Sequence, residues 1–580
     1  MKTKYYKILI AGLSFLFLGS CNDVLDKELL TSISDQDIWN DKNLIQAYVN
    51  DLYSRAPYTG VFTDWYRYSD EATAADGNQN ALNQGNMSKT NDQLGYWDYS
   101  LVRAYNLFLE KVNSLQVSAD LKTKWEGEVR LMRAVYYFEM AKRYGGVPIV
   151  EKVLDPNAPV EENMLPRNSE AEVFKFIETE IDKSIKLLEN ANSPKENYNY
   201  LTAHAYKART MLWAASIAKY SALQLNGTVG IPASQSDYYY KLALDAAEKV
   251  INSNKYSLYN KYDDKIKNYQ GIFTEKDNSE IILQRAFNGN ELGHSFDNNN
   301  TPPSYRLTYG GRCNPVWEMI LSYENTDGTA DQPLLGKENL YDNAYALLKK
   351  KDARLHASIM YQGASWQGGT VDIYEAIDPN ANPNPSNLLS NIGESYNGKL
   401  QVGKDFTGSS EAITKSGFYI KKYMDETLIK PGENKSSTSW IEIRLGEMYL
   451  IAAESAFELG DKAKALARLN AIRQRAGIML LNENSITIEK IRNERKIELA
   501  FENFRYWDLR RWRISESNQV NNGVRFHGLK AVFHYPSGKY YFLLKDAETF
   551  VRTFRPEHYY NPITTARINN NTSLIENPNY

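Results

Sequence analysis

Residues 445–472 read Leu445-Gly-Glu-Met-Tyr-Leu-Ile-Ala-Ala-Glu-Ser-Ala-Phe-Glu-Leu-Gly-Asp-Lys-Ala-Lys-Ala-Leu-Ala-Arg-Leu-Asn-Ala-Ile472. Leu445, Met448, Ala452 and Leu459 fall along one face of a helix, the spacing of an amphipathic α-helix. Gly460 ends it, and Asp461 can cap a second helix that carries Ala463, Leu466, Leu469 and Ile472. Small residues at Ala452, Ala453, Ala456, Ala463 and Ala467 would let the two rods approach closely. This is a helix–turn–helix pair.

Further pairs precede it. Leu121, Trp125, Val129, Met132, Tyr136 and Met140 recur every three or four residues, and Gly145-Gly146-Val147-Pro148 stops that helix. A helix from Ser169 to Leu188 follows, then a pair from Leu201 to Leu223 and from Ser236 to Ile251. An earlier helical region runs from Asp35 to Arg55 with Trp39, Ile45, Val49 and Leu52 on one side. The fold class is mainly α, with irregular tetratricopeptide-like helix pairs as scaffold, mainly over 100–253 and 440–512. Loop-rich insertions fill 56–96, 254–440 and 525–580. Their strand signals are short: Glu280 to Leu283, and a pair at Ala531–Tyr535 and Tyr540–Leu544. Structureless stretches of this length are commonly functional.

The N-terminus reads as an export signal over residues 1–20. Lys2, Lys4 and Lys7 precede an uncharged run from Ile8 to Leu18, too short to span a bilayer core. Leu18-Gly19-Ser20-Cys21 resembles the lipobox of bacterial lipoproteins, which makes Cys21 the lipidation site and residues 21–34 a tether. Acyl chains would anchor the chain through buried methylenes.

Composition narrows the function. The formal net charge is −3, without the basic excess of a nucleic-acid binder. Mean hydropathy is −0.55, and no later run is long enough to span a membrane. The second of two cysteines, Cys313, has no partner if Cys21 is acylated, and reads as a buried inert thiol. The six histidines show no metal-ligand spacing. No phosphate loop, nucleophile elbow, dinucleotide fingerprint or Cys-x-x-Cys is present. No cofactor is expected; Asp and Asn are spread too widely to mark a structural Ca²⁺ site.

The segment Glu494 to Trp512 carries the strongest charge pattern. Glu494, Glu498 and Glu502 recur every four residues, which places three carboxylates on one helix face. Glycoside hydrolysis needs two. Arg492, Arg495, Lys496, Arg505, Arg510 and Arg511 would keep them ionised, so the reading is an ion-pair network pinning Trp507 and Trp512, without catalytic residues.

The chain has 42 tyrosines, 20 phenylalanines and ten tryptophans. Tyr and Trp join an apolar face to a polar edge, which suits a hydroxyl-rich ligand. The candidates are aromatics in non-periodic segments beside short polar residues. Trp65, Tyr66 and Tyr68 precede Asp70, Asp76, Asn78 and Asn80. Tyr305 and Tyr309 flank Arg306. Trp366 lies among glycines 363, 368 and 369, which would leave its ring exposed. Trp97, Trp125, Trp213 and Trp507 are assigned to packing.

Glu494 through Trp512 resembles the C-terminal signature of SusD/RagB-type lipoproteins. Glu128 through Pro148 is similar to that family's helix ending in a Gly-x-Val-Pro turn, and Arg444 through Glu454 to its late helix. Asn470 to Gly477 and the closing Tyr560-Asn561-Pro562-Ile563 and Ile575 to Tyr580 agree. The resemblance implies a single SusD-like domain over 35–580 and a cell-surface, lipid-anchored, non-enzymatic glycan-binding protein of the outer membrane. It would act as a lid over a SusC-like TonB-dependent transporter. Relatives of the same architecture that take peptides, and a surface glycoside hydrolase, are the alternatives. The expected glycan contacts are Trp65, Tyr66, Asp70, Asp76, Asn78, Tyr305, Tyr309 and Trp366, with no metal and no nucleic acid.

Overall fold

The structure is a computed structural model and describes residues 35–58, 60–75, 82–191, 193–409, 411–517 and 520–580. The signal, Cys21, the tether, and Asp76, Asn78 and Asn80 lie outside the described residues.

Local chemistry sets the helix ends. Ser118 caps Ala119–Tyr144 by accepting from Leu121 N. Ser169 and Glu172 form a capping box that starts Glu170–Leu188. Asn199 caps Tyr200–Tyr220 through Leu201 N and Thr202 N, and Asp461 caps Lys462–Ala476. Ser236–Ile251 follows as expected. After Tyr144 the chain turns at Gly145 with φ 74°, and Gly146 N donates to Thr228 O at 2.7 Å. A Cβ on Gly146 would sit 1.9 Å from Asn168 O, so only glycine fits there.

The pairs form one stack. Ala119–Tyr144 packs on Glu170–Leu188, which contacts Tyr200–Tyr220; that helix packs on Ser236–Ile251. Leu445–Glu458 then docks on Ser236–Ile251 and carries Lys462–Ala476, so the stack continues across the long insertion. Ala452, Ala453 and Ala456 are fully buried at these contacts, whereas Ala463 and Ala467 are exposed. The buried stripe of Lys462–Ala476 is instead Ala465, Leu469, Ile472 and Ala476. The helical region expected from Asp35 to Arg55 consists of two helices, Asp35–Asn40 and Lys42–Arg55, because Asp41 turns extended to cap the second.

The insertion has its own apolar core, built around Ile320, Trp366, Tyr419 and Trp440. Its sheets are small. Ile281–Arg285 pairs antiparallel with Trp440–Arg444, the strand that leads into Leu445. His527–His534 and Lys539–Asp546 form the expected hairpin, extended by parallel pairing to Ala376–Asp378.

The signature segment departs from its sequence reading. It folds as Ile488–Glu498 and Arg505–Arg511, with Phe501 and Asn503 left-handed between them at φ 61° and 64°. Glu502 therefore does not share a helix face with Glu494 and Glu498. Tertiary pairing brings the acids together instead. Arg444 donates to Glu498 Oε1 at 2.6 Å and to Glu502 at 2.8 and 2.9 Å. Arg354 bridges Glu494 and Glu498, and Arg475 joins Glu280 to Glu498. Trp512 Nε1 donates to Glu454 at 2.7 Å, and Lys142 and Arg143 lie over the Trp507 ring.

Candidate functional site

The first loop is tied to the middle of the chain by a strand pair. Ala72–Ala74 runs antiparallel to Cys313–Pro315 with Ala74 opposite Cys313, and Ala75 N donates to Arg312 O at 2.8 Å. Ala75 thus lies beside Arg312, at the end of the segment that holds Tyr305 and Tyr309.

That loop is held from below. Asp405 Oδ1 accepts from Ser304 N at 2.8 Å and from Ser304 Oγ at 2.6 Å, while its Oδ2 accepts from Asp372 N at 2.9 Å. Burial pushes the Asp405 carboxyl up. Arg306 Nη1 donates to Ala412 O at 2.7 Å. At the loop's base, Asp297 accepts from Asp425 N at 2.7 Å, and burial raises its pKa to about 6. Tyr305 Oη donates to Thr370 O at 3.1 Å, and Lys404 Nζ lies 4.9 Å from its ring centroid. The loop then rises into solvent: Leu307 is 63% and Tyr309 62% exposed. Apolar side chains this open, on so well-fastened a loop, are available to a ligand.

The structure places the other candidates differently. Trp366 is 1% exposed. It sits on the two-residue hairpin Ser365–Trp366/Gly369–Thr370, whose turn uses Gln367 and Gly368 at φ 47° and 72°. Strand alternation sends Ser365 outward and Trp366 inward, so the glycines make the turn and do not bare the ring. Tyr66 is also 1% exposed, edge-on to Phe501 at 5.6 Å. Asp70 is buried in a two-bond pair with Arg505 at 2.7 and 2.9 Å and with Lys496 at 2.9 Å; these cations hold its carboxyl well below the usual range. It fastens the first loop to the signature segment. Tyr68 is buried against Tyr506, and Trp65 is half-buried, 6.0 Å from Trp507 and 5.8 Å from Arg143.

Tyr309 thus stands open to solvent, while Tyr305, half-buried, packs against the insertion's core with the Trp366 hairpin beneath it. Lys404, which lies over the Tyr305 ring, and the exposed Leu307 were not named from the sequence. Lys404 is distant in sequence and sits in the second insertion with no local motif; Leu307 lay in the right loop but is not aromatic.

The described residues hold no group of three or more His, Cys, Asp or Glu suited to a metal. Glu498, one of the three carboxylates weighed for glycoside hydrolysis, is fully buried and lies against Arg475, Arg444 and Arg354, which keep it ionised. Cys313 is buried, with Sγ 3.4 Å from Asp64 Oδ2, and burial raises its thiol.

Residues 279–580 match the SusD family. The chain belongs to the SusD family. Residues 23–212 match a second description, starch-binding associating with outer membrane. A SusD-like protein of Bacteroides ovatus is 23% identical over 97% of this chain and 93% of its own. The crystal structure of a SusD-like protein from Bacteroides fragilis superposes with a TM-score of 0.74, at 26% identity over 94% of this chain and 99% of that one. A laminarin-binding SusD-like protein shares the fold with a TM-score of 0.61, at 17% identity over 93% of this chain and all of that one. SusD-family proteins bind substrate and are not enzymes. Among the described residues no helix is long and apolar enough to cross a membrane.

Proposed function

We propose that this SusD-family protein captures an oligosaccharide on the Tyr305–Tyr309 face outside the cell. Acyl chains on Cys21 hold it to the outer membrane, and it passes the sugar to a SusC-like TonB-dependent transporter. The observation that carries the reading is the exposed Tyr309 ring on a loop fixed through Ser304 and Asp405. A sugar ring offers a face of C–H groups to an aromatic and hydroxyls to polar neighbours. The match to a starch-binding description and the fold shared with a laminarin-binding protein favour a glycan over a peptide. Asp76 and Asn78, which follow Ala75 in sequence, are proposed as polar contacts.

Affinity electrophoresis of the protein through gels cast with plant, host and microbial polysaccharides tests this. Retardation by at least one glycan, lost in Tyr309→Ala, is expected. Binding to peptide arrays with no glycan retarding the protein would overturn it.

A further inference from the structure

A groove lies elsewhere, between the start of the Tyr99–Lys111 helix, the extended segment after Pro148 and the C-terminal residues. It has two adjoining lobes, of 400 and 330 Å³, that share Tyr99, Val150, Leu154 and Asn163. This is the size of an oligosaccharide or drug-sized ligand site. Trp97, assigned to packing from the sequence, is half-buried and lines the larger lobe. Leu165 and Leu574 give that lobe apolar walls, and Asn163 and Asn570 place amides on them.

Its charge is one-sided. The lining contains Arg103, Lys152 and Arg567 and no carboxylate, in a chain whose formal net charge is −3. Arg567 is spoken for: it pairs with Asp92 at 2.7 Å and lies 5.0 Å over the Trp97 ring. Among the described residues, the exposed Arg103 and Lys152 side chains have no acidic partner. Both belong to the second lobe.

The main chain along the groove is already engaged. Pro148 O accepts from Tyr99 Oη at 2.8 Å, and Val150 O and Lys152 O from Asn106 Nδ2 at 2.8 and 3.1 Å. Ile149 N, Val150 N and Val153 N donate to Asn168, Tyr137 and Glu110 side chains. An extended peptide would find most of that edge occupied, so recognition falls to ring faces, amides and the two cations.

We propose that this groove is a second ligand site, for an anionic glycan whose sugar ring lies against Trp97 and Tyr99 and whose carboxylate or sulfate meets Arg103 and Lys152. The glycan class rests on the function proposed above; the site shares no residue with the Tyr305–Tyr309 face.

The test uses the full chain in detergent, run through gels containing polygalacturonate, alginate, chondroitin sulfate or the neutral glucan laminarin. At least one acidic glycan should retard the protein, and raised salt should weaken that retardation. The Arg103→Gln/Lys152→Gln double variant should bind that glycan roughly tenfold or more weakly, Arg103→Lys with Lys152 intact should keep most of the binding, and Tyr309→Ala should leave it unchanged. Both substituted side chains are exposed, so an unaltered melting temperature is expected. If no acidic glycan is retained, if the double variant binds as tightly as wild type, or if oligoglutamate displaces the glycan, the groove proposal fails. Retention of a neutral glycan that depends on Tyr309 would then leave the first reading standing, whereas retention of no glycan would remove both.

Discussion

Arg444 Nη1 and Glu498 Oε1 meet at 2.6 Å in the buried seam between the helical stack and the core of the insertion. Arg444 also donates to the Glu498 carbonyl at 2.7 Å, so one guanidinium holds both the side chain and the end of the Ile488–Glu498 helix. Removing one member of such a buried network strands charge without solvent. Glu498→Ala is therefore expected to cost about 3–5 kcal/mol of stability. Thermal unfolding checks this; an unchanged melting temperature would refute the seam's role.

Tyr309 should behave in the opposite way. Its ring is 62% exposed, so Tyr309→Ala should leave the melting temperature unaltered. Glycan affinity should fall by about 1–2 kcal/mol, as for an aromatic anchor. Calorimetric titration with the glycan found by gel retardation gives the number.

Trp366 separates packing from recognition. Its buried indole predicts a loss of about 3–5 kcal/mol of stability on substitution by alanine. A Trp366→Ala protein with native stability and no glycan binding would return the ring to the ligand surface.

Glu128 sets a pH dependence. Burial is the largest cause raising its pKa to about 7, with Lys124 only 3.9 Å away as a partial offset. The native state then holds a proton that the unfolded chain releases, so Glu128 lowers stability as pH rises from about 4.5 to 7. Glu128→Gln should stabilise the protein at pH 8 by on the order of 2–3 kcal/mol and have no effect near pH 4. Denaturant unfolding of both proteins at the two pH values measures it.

Cys21→Ala should release the protein from the membrane fraction, because stable anchoring needs the acyl chains. Fractionation with detection of the chain provides the check.

The helical stack was legible because its signals are local. Asp461 was readable as a cap ahead of apolar periodicity and caps in the structure, where Ser118, Ser169 and Asn199 start other helices in the same way. What sequence could not carry was phase and partner. Glu502 leaves the helix face because Phe501 and Asn503 adopt left-handed backbone, which no periodicity announces. Ala465 takes the buried position expected of Ala463 and Ala467, since the docking face is chosen by the neighbouring helix. Asp70 had the composition of a ligand contact, yet its partners Lys496 and Arg505 lie more than four hundred positions away. The exposure of Tyr309 agrees with its polar, non-periodic surroundings, whereas its neighbour Tyr305 is half-buried against the core. The buried fate of Trp366 was not, because a glycine-rich turn looks the same whichever side of the hairpin faces water.

The bonds joining Asp70 to Lys496 and Arg167 to Asn577 span 426 and 410 positions. Their formation must await nearly complete emergence of the polypeptide. Until its last residues arrive, a nascent molecule carries half-made clasps and bare greasy flanks. Prompt destruction of chains cut short near the carboxyl terminus is the expected result of that wiring.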